Sequence, residues 1–258
     1  MFFGVASAAV AAGLLLDPSV CETLQKTTAL AMSNIHFHIV TLFPDAIRPY
    51  LESSIIGKAQ EKKKIKISYY NPKDFTGKTS RTQDERVDRR PYGGGPGMVL
   101  RPEPMLRAVE KAMSRCHLDM RGRRTAEKIF FATDGATFDE TAAKKLAKKK
   151  DVVFICGHYE GVDARVQKIL KAKKVSVGPY VLTGGELPAA TVIDAIARFV
   201  PDVLGKAQSL EASRASSPEV YTRPEVLGWK GKKYRVPKVL LTGNHAEIDK
   251  WKKGRREA

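Results

Sequence analysis

Residues 151–156, Asp-Val-Val-Phe-Ile-Cys, make an apolar run between a lysine cluster and a glycine. A strand without polar alternation has both faces covered, which is how parallel sheets between two layers of helices are built. The neighbouring sequence follows the same plan. Residues 35–42, 65–70 and 128–132 read as strands, and residues 102–114, 138–146 and 163–171 as helices. Residues 45–60 read as a helix broken near Pro49, since proline interrupts a helix interior. Strands alternating with helices of this length predict an α/β domain with a largely parallel sheet. The intervening residues 71–97 read as a long polar, Gly/Pro-rich loop, and loops of that length are functional or mobile more often than idle.

Three glycine-bearing segments follow strands in this reading: Thr133-Asp134-Gly135, Gly157-His158-Tyr159-Glu160-Gly161 and residues 178–186. Ligands of open α/β sheets bind beyond the carboxyl ends of the strands, so the three segments are expected to converge. The third reads as a short strand over residues 177–182, a Gly184-Gly185 turn, and a helix with Pro188 at its first position, where a missing N–H costs nothing. Glycines there would let backbone amides approach a ligand, having no Cβ and tolerating positive φ. From Ala189 the helix carries Val192, Ile193, Ile196, Ala197 and Val200 on one stripe and Thr191, Asp194 and Arg198 on another. Arg198 therefore points away from the core, and spacing alone makes Asp194 and Arg198 an ordinary surface pair worth about 0.3 kcal/mol. Neither GxGxxG nor GxxxxGK[ST] occurs, which disfavours a dinucleotide dehydrogenase or a nucleotide hydrolase.

The chain holds 45 Lys and Arg against 28 Asp and Glu in 258 residues, a formal charge of +17. Such an excess favours a polyanionic partner, a nucleic acid or an anionic membrane surface. Lysine-rich runs at 62–66, 144–150, 168–174, 230–235 and 250–256 are each most simply a solvated face, and together they form a broad field. Cys21, Cys116 and Cys156 show no CxxC or Cys/His spacing, and His36, His38, His117, His158 and His245 show no HExxH. No disulfide framework and no metal site is implied, and a reducing cytosol is the simplest home. Residues 2–16 are apolar, but no Lys or Arg precedes Lys26 and the run is too short to span a bilayer, so neither a secretory leader nor a membrane span is expected. Residues 1–31 read as an upstream extension, either disordered or a misassigned start before Met32, with no part in the fold.

Six motifs occur in one order from about residue 32 almost to the end. They are Arg90-Pro91-Tyr92-Gly93-Gly94-Gly95-Pro96-Gly97-Met98, Gly157-His158-Tyr159-Glu160-Gly161-Val162-Asp163, residues 180–189, Ala197-Arg198-Phe199-Val200-Pro201, Tyr221-Thr222-Arg223-Pro224-Glu225 and Gly243-Asn244-His245-Ala246-Glu247-Ile248. In this set the chain resembles the bacterial tRNA (guanine-N1)-methyltransferases, the TrmD family. The resemblance implies a SPOUT-type α/β fold, a parallel sheet with a deep trefoil knot, plus a small mainly helical C-terminal domain, assembled as a cytoplasmic homodimer. Residues 32–205 would be the methyltransferase domain, 206–219 a linker and 220–258 a shortened tRNA-binding domain.

S-adenosylmethionine is the implied methyl donor, held by Thr133, Gly157, Tyr159, Glu160, Val177, Gly178, Tyr180, Leu182, Gly184, Gly185 and Pro188. The implied acceptor is the guanosine immediately 3′ of the anticodon in tRNA, with Arg90, Tyr92, Arg223 and His245 on the RNA. Magnesium is a further implication that no spacing here shows. Guanine N1 is protonated at neutral pH, so methylation benefits from a general base and from a donor to the growing charge on O6. The resemblance gives the second task to Arg198. The family's aspartate base falls in the linker, where this chain has Ser213 at the ungapped position; Glu211 is the nearest carboxylate, ahead of Glu219, and either is a base or a solvated linker residue.

Other departures are His158 in place of a common Arg, Pro179 in place of Asp, Arg89 in place of an acid, and Thr133-Asp134 in place of Ser-Pro. Glu160 either meets the donor or a magnesium ion, or serves as a helix N-terminal charge. Tyr92 either stacks on a base or packs on its own domain, and Asp134 either meets the donor or caps its turn. Three functions stay open: an active methyltransferase, a tRNA-binding relative that has lost catalysis, and a SPOUT enzyme acting on another RNA nucleoside.

Overall fold

The computed structural model describes residues 34–77, 86–204 and 219–254; the extension at 1–31, Glu211 and Ser213 lie outside them. They fall into two compact units that divide between Val203 and Leu204. The first unit runs β1 (Ile35–Val40), α1 (Arg48–Leu51), α2 (Ser54–Glu61), β2 (Ile65–Tyr70), β3 (Asp88–Arg89), β4 (Val99–Leu100), α3 (Pro102–Met113), β5 (Glu127–Thr137), α4 (Glu140–Leu146), β6 (Asp151–Ile155), α5 (Ala164–Leu170), β7 (Lys173–Ser176) and α6 (Glu186–Ala197). Five strands form one sheet in the order β2-β1-β6-β5-β7, and every pairing in it is parallel.

The apolar run at 151–156 earns its central place: all of β6 is buried, as is all of β1 beside it. Side chains alternate across a strand. Phe37, Ile39, Val152 and Phe154 meet α2, α4 and α6 through Ile56, Leu146, Ile193 and Ile196. Val40, Val153 and Ile155 meet α3 and α5 through Met105, Val109 and Val166. Two helical layers therefore enclose the sheet. The aliphatic stripe expected on α6 is buried at Val192, Ile193, Ile196 and Ala197, with Val200 just beyond the helix.

Four local expectations need correction. Pro49 does not break the helix near itself; it sits in the first turn of α1, where proline is tolerated, and the interruption falls at Glu52 and Ser53. Residues 71–97 are not all loop, since a 3-10 turn at Pro72–Phe75 and β3 lie within them. The strand expected over 177–182 ends instead at Ser176. There the Ser176 hydroxyl donates to the Gly178 carbonyl at 2.9 Å and the Tyr180 hydroxyl donates to the Val177 carbonyl at 3.2 Å, bending the chain out of the ladder. Finally, α6 starts at Glu186, so Pro188 is its third residue, still within the turn whose amides lack intrahelical acceptors.

The second unit holds an antiparallel hairpin, β8 (Val226–Trp229) and β9 (Lys232–Arg235), then a 3-10 turn at Lys238–Leu241 and α7 (His245–Gly254). The hairpin extends the mainly helical expectation for this region. Lys230 and Gly231, with φ of 51° and 76°, make the two-residue turn whose twist matches paired strands. No helix among the described residues is long and apolar enough to cross a membrane.

Phe154 is wholly buried at the centre of β6, against Phe37 and Phe131. Phe154→Ala should therefore lower the unfolding free energy by about 3–5 kcal/mol, read from the midpoint of urea denaturation at unchanged slope.

Candidate functional site

The three segments expected to converge do so around one cavity of about 340 Å³ at the carboxyl edge of the sheet. Thr133, Gly157, Tyr159, Glu160, Val177, Gly178, Tyr180, Leu182, Gly184, Gly185 and Pro188 all line it. The segment around Thr133 is not a turn after a strand, however. It lies inside β5 as a bulge, where the register to β7 shifts between Phe131 and Ala136. Gly135 makes the bulge possible, because a Cβ there would meet the Val175 amide nitrogen at 2.5 Å. Asp134 faces outward to Lys174, whose ammonium donates to it at 2.6 Å and lowers its carboxyl below the usual range.

The Gly184-Gly185 turn works through its missing Cβ atoms. Gly185 has φ of −81°, ordinary for any residue, so positive φ plays no part at that position. A Cβ on Gly185 would sit 2.6 Å from the Cys156 Cα, and one on Gly184 would sit 2.6 Å from His158 Nδ1. With neither present, the Gly185 amide donates to the Gly157 carbonyl at 2.8 Å, and His158 and Gly184 form an antiparallel bridge. The loop after β7 is thereby laced to the loop after β6.

Glu160 lines the cavity and lies against Gly97 of the glycine-rich segment, where a Cβ would come 2.8 Å from its carboxyl carbon. The Glu160 amide donates to the Met98 carbonyl at 3.1 Å. Its alternative role at a helix start belongs to Asp163, whose carboxylate accepts from the Arg165 amide at the head of α5. Tyr159 takes a left-handed φ of 58° and lines both this cavity and a second hollow of about 590 Å³ walled by Lys73, Thr76, Gly77, Arg86, Val87 and Asp88. A left-handed conformation at an aromatic residue is held only when its surroundings fix it, a pattern concentrated at functional sites.

Behind the lining residue His158 lies a link the sequence did not announce. Glu186 is buried and accepts a hydrogen bond from the Thr41 hydroxyl at 2.7 Å, while His158 Nδ1 stands 3.6 Å from its other oxygen. Phe43 lies beside His158, with ring centroids 4.6 Å apart. Glu186 also occupies the first position of α6, where a negative charge is favoured by the helix dipole. The motif containing Glu186 was visible, but nothing in linear spacing pointed to a threonine 145 residues earlier.

Arg198 is not in this cavity. It is half-buried at the C-cap of α6, ten residues beyond Pro188, or about 15 Å along the helix. Asp194, its expected surface partner, hydrogen-bonds the Tyr50 phenol and, after burial itself, helps raise that group above its usual range. Arg90 and Tyr92 are exposed in a segment where Gly93, Gly94, Gly95 and Gly97 all have positive φ; Tyr92 does not pack on its own domain, its side chain being fully exposed. Arg223 and the helix-opening His245 are exposed in the second unit. That unit adds residues missed in and just before the lysine run at 230–235: Trp229, Tyr234 and Leu227 are exposed on the hairpin, and the register puts all three on one face with Lys232.

The family described as tRNA (Guanine-1)-methyltransferase TrmD matches residues 35–258. A tRNA (guanine-N(1)-)-methyltransferase of Carboxydothermus hydrogenoformans is 42% identical over 219 residues, 83% of this chain and 80% of the relative. Its counterpart in Dehalococcoides mccartyi is 40% identical over 220 residues, 83% of each chain. The one in Clostridioides difficile is 37% identical over 223 residues, 85% of this chain and 91% of the relative.

Thr41→Val keeps the side chain's shape but strips the buried Glu186 carboxylate of its hydroxyl donor and the Phe43 amide of its acceptor. It should cost about 1.5–3 kcal/mol in chemical denaturation, the range for a hydrogen bond to a charged group, against near-zero change for Thr41→Ser.

Proposed function

Because this chain belongs to the tRNA (guanine-1)-methyltransferase family, we propose that its cavity binds S-adenosylmethionine and that the protein methylates N1 of the guanosine immediately 3′ of the anticodon in tRNA. The observation that carries the reading is the gathering of all eleven residues expected at the donor around one hollow. Its size falls in the range typical of small-molecule sites, roughly 300–1,000 Å³. Bound there, the donor supplies an electrophilic methyl carried by a sulfonium. Glu160 offers a negative charge to that cation, and the bend at 177–182 offers backbone groups to a flat base. If magnesium takes part, Glu160 is the lining carboxylate placed to meet it, since that ion keeps several waters and needs few protein oxygens.

The second hollow, reached past Tyr159 and walled by Lys73 and Arg86, suits an extruded nucleotide with its phosphate. Arg198 donates to guanine O6 as charge develops there, and Glu211 takes the N1 proton. With about 15 Å of helix between Arg198 and the cavity of its own chain, this reading needs a homodimer in which Arg198 serves the partner's cavity. The exposed apolar side chains of Val181 and Leu187, 83% and 58% accessible, support a covered interface there. The SPOUT trefoil knot belongs to the same reading, supported by the parallel strand order and by the seating of Gly184-Gly185 on the residues after β6. Residues 206–219 then act as the linker and 220–258 hold tRNA through Arg223, His245 and the aromatic, lysine-bearing hairpin. Such a role places the protein in the cytoplasm with its substrate.

Labelled S-adenosylmethionine should pass its methyl to transcripts carrying G after the anticodon. Arg198→Ala should abolish transfer while leaving donor affinity by calorimetry unchanged, because in this reading Arg198 meets the guanine and not the donor; binding of donor and tRNA by the unaltered chain with no product would instead identify a relative without catalysis, and product at another position would identify a different acceptor. Glu211→Gln should reduce turnover by ~10²-fold or more, and unchanged single-turnover rates would remove Glu211 from the mechanism.

A further inference from the structure

At the opposite edge of the sheet from the cavity, the structure assembles residues that no linear motif connects. His36 and His38 project from one face of β1, two positions apart, and Asp151 pairs with His36 at the head of β6. All three are buried, and their ligand atoms lie within 4.8 Å of one another. Asp151 Oδ1 is 3.1 Å from His38 Nε2 and 3.8 Å from His36 Nδ1. Cys116, buried just beyond α3, places its sulfur 3.6 Å from the same His38 Nε2. Around a tetrahedral zinc ion, bonds of about 2.0–2.1 Å to nitrogen or oxygen and about 2.3 Å to sulfur set N···O edges near 3.3 Å and N···S edges near 3.6 Å.

The side of each ligand facing away from this point is already held. His36 Nε2 bonds the Ser68 hydroxyl at 2.9 Å, and His38 Nδ1 bonds the Tyr70 hydroxyl at 2.9 Å. The other Asp151 oxygen accepts from the His117 amide at 2.9 Å and from its Nδ1 at 2.7 Å. Metal-binding imidazoles and carboxylates are oriented in this way, with the non-ligating atom of each tied to a hydrogen-bond partner. His36 Nδ1, His38 Nε2 and Asp151 Oδ1 are gathered at one point, where His38 Nε2 and Asp151 Oδ1 share a hydrogen bond at 3.1 Å, while the Cys116 thiol beside them donates to the Ala112 carbonyl at 3.5 Å; an ion would take the place of those two protons.

We propose that the gathered His36, His38 and Asp151 hold a divalent transition ion of the zinc class, with the Cys116 sulfur turning in from beside His38 to close the site as fourth ligand. Four protein ligands leave no open position, which separates it from a catalytic centre. An imidazole that ligates an ion must be neutral, and burial of His36 favours that form. A coordinating thiol is deprotonated, so binding releases the Cys116 proton to solvent. The ion would staple the residues after α3 to β1 and β6 at the edge where Asp151 stands, about 20 Å of strand from Gly157.

The test uses the full chain, stripped with a chelator and titrated with cobalt(II), whose colour reports coordination. One equivalent should give the intense visible bands of a tetrahedral ion together with a near-ultraviolet thiolate band, and zinc should displace both. Cys116→Ser should keep the visible bands and lose the thiolate band. Ser68→Ala, which touches only the partner of His36, should weaken binding by about 10–100-fold with unchanged far-ultraviolet circular dichroism. A pale octahedral spectrum, absence of saturable uptake, a thiolate band that survives in Cys116→Ser, or unaltered affinity in Ser68→Ala each overturns the site.

Discussion

The closeness of Gly185 to the backbone of Cys156 and Gly157 is the constraint from which the rest of the cavity follows. A hydrogen bond between main chains at 2.8 Å and a one-residue bridge between His158 and Gly184 join two loops that approach from different strands. Once joined, they fix where Tyr159, Glu160 and the bend at 177–180 face. The walls are therefore set by main chain, which is stiff, while the side chains supply charge and shape. The buried Glu186, gripped by Thr41 from the end of β1, ties this pair of loops to the centre of the sheet.

Much of the first unit could be read from residue order, and the reason is periodicity. The unpolarised run of β6 announced a central strand with two covered faces, and the aliphatic stripe of α6 announced its buried side. Both signals are local and repeat several times. The misreadings came where one atom decides the outcome. The Ser176 hydroxyl diverts residues 177–182 from a strand that their Val and Leu content favours. The bulge in β5 follows from the absence of a single Cβ at Gly135. Neither leaves a periodic trace.

Long-range pairings were illegible for a different reason. His36 and Asp151 meet only because β1 and β6 are neighbours in a strand order that differs from chain order, so separations of more than a hundred residues collapse to a few ångströms. Along the chain the histidines show no ligand spacing; the cluster exists only across strands. The same holds for Thr41 and Glu186. The hairpin at residues 226–235 was obscured by its lysines, which look like any solvated face until the register gathers Trp229, Tyr234 and Leu227 together.

The helix α6 has its first turn in the cavity wall at Pro188 and its C-cap at Arg198. Packed along its length by Val192, Ile193 and Ile196, it behaves as a rigid rod that neither stretches nor bends to suit a ligand. One packed helix therefore sets both where Pro188 stands in the wall and how far from it the Arg198 guanidinium begins. The reach of Arg198 is thus a built-in ruler whose zero mark is the wall of the hollow.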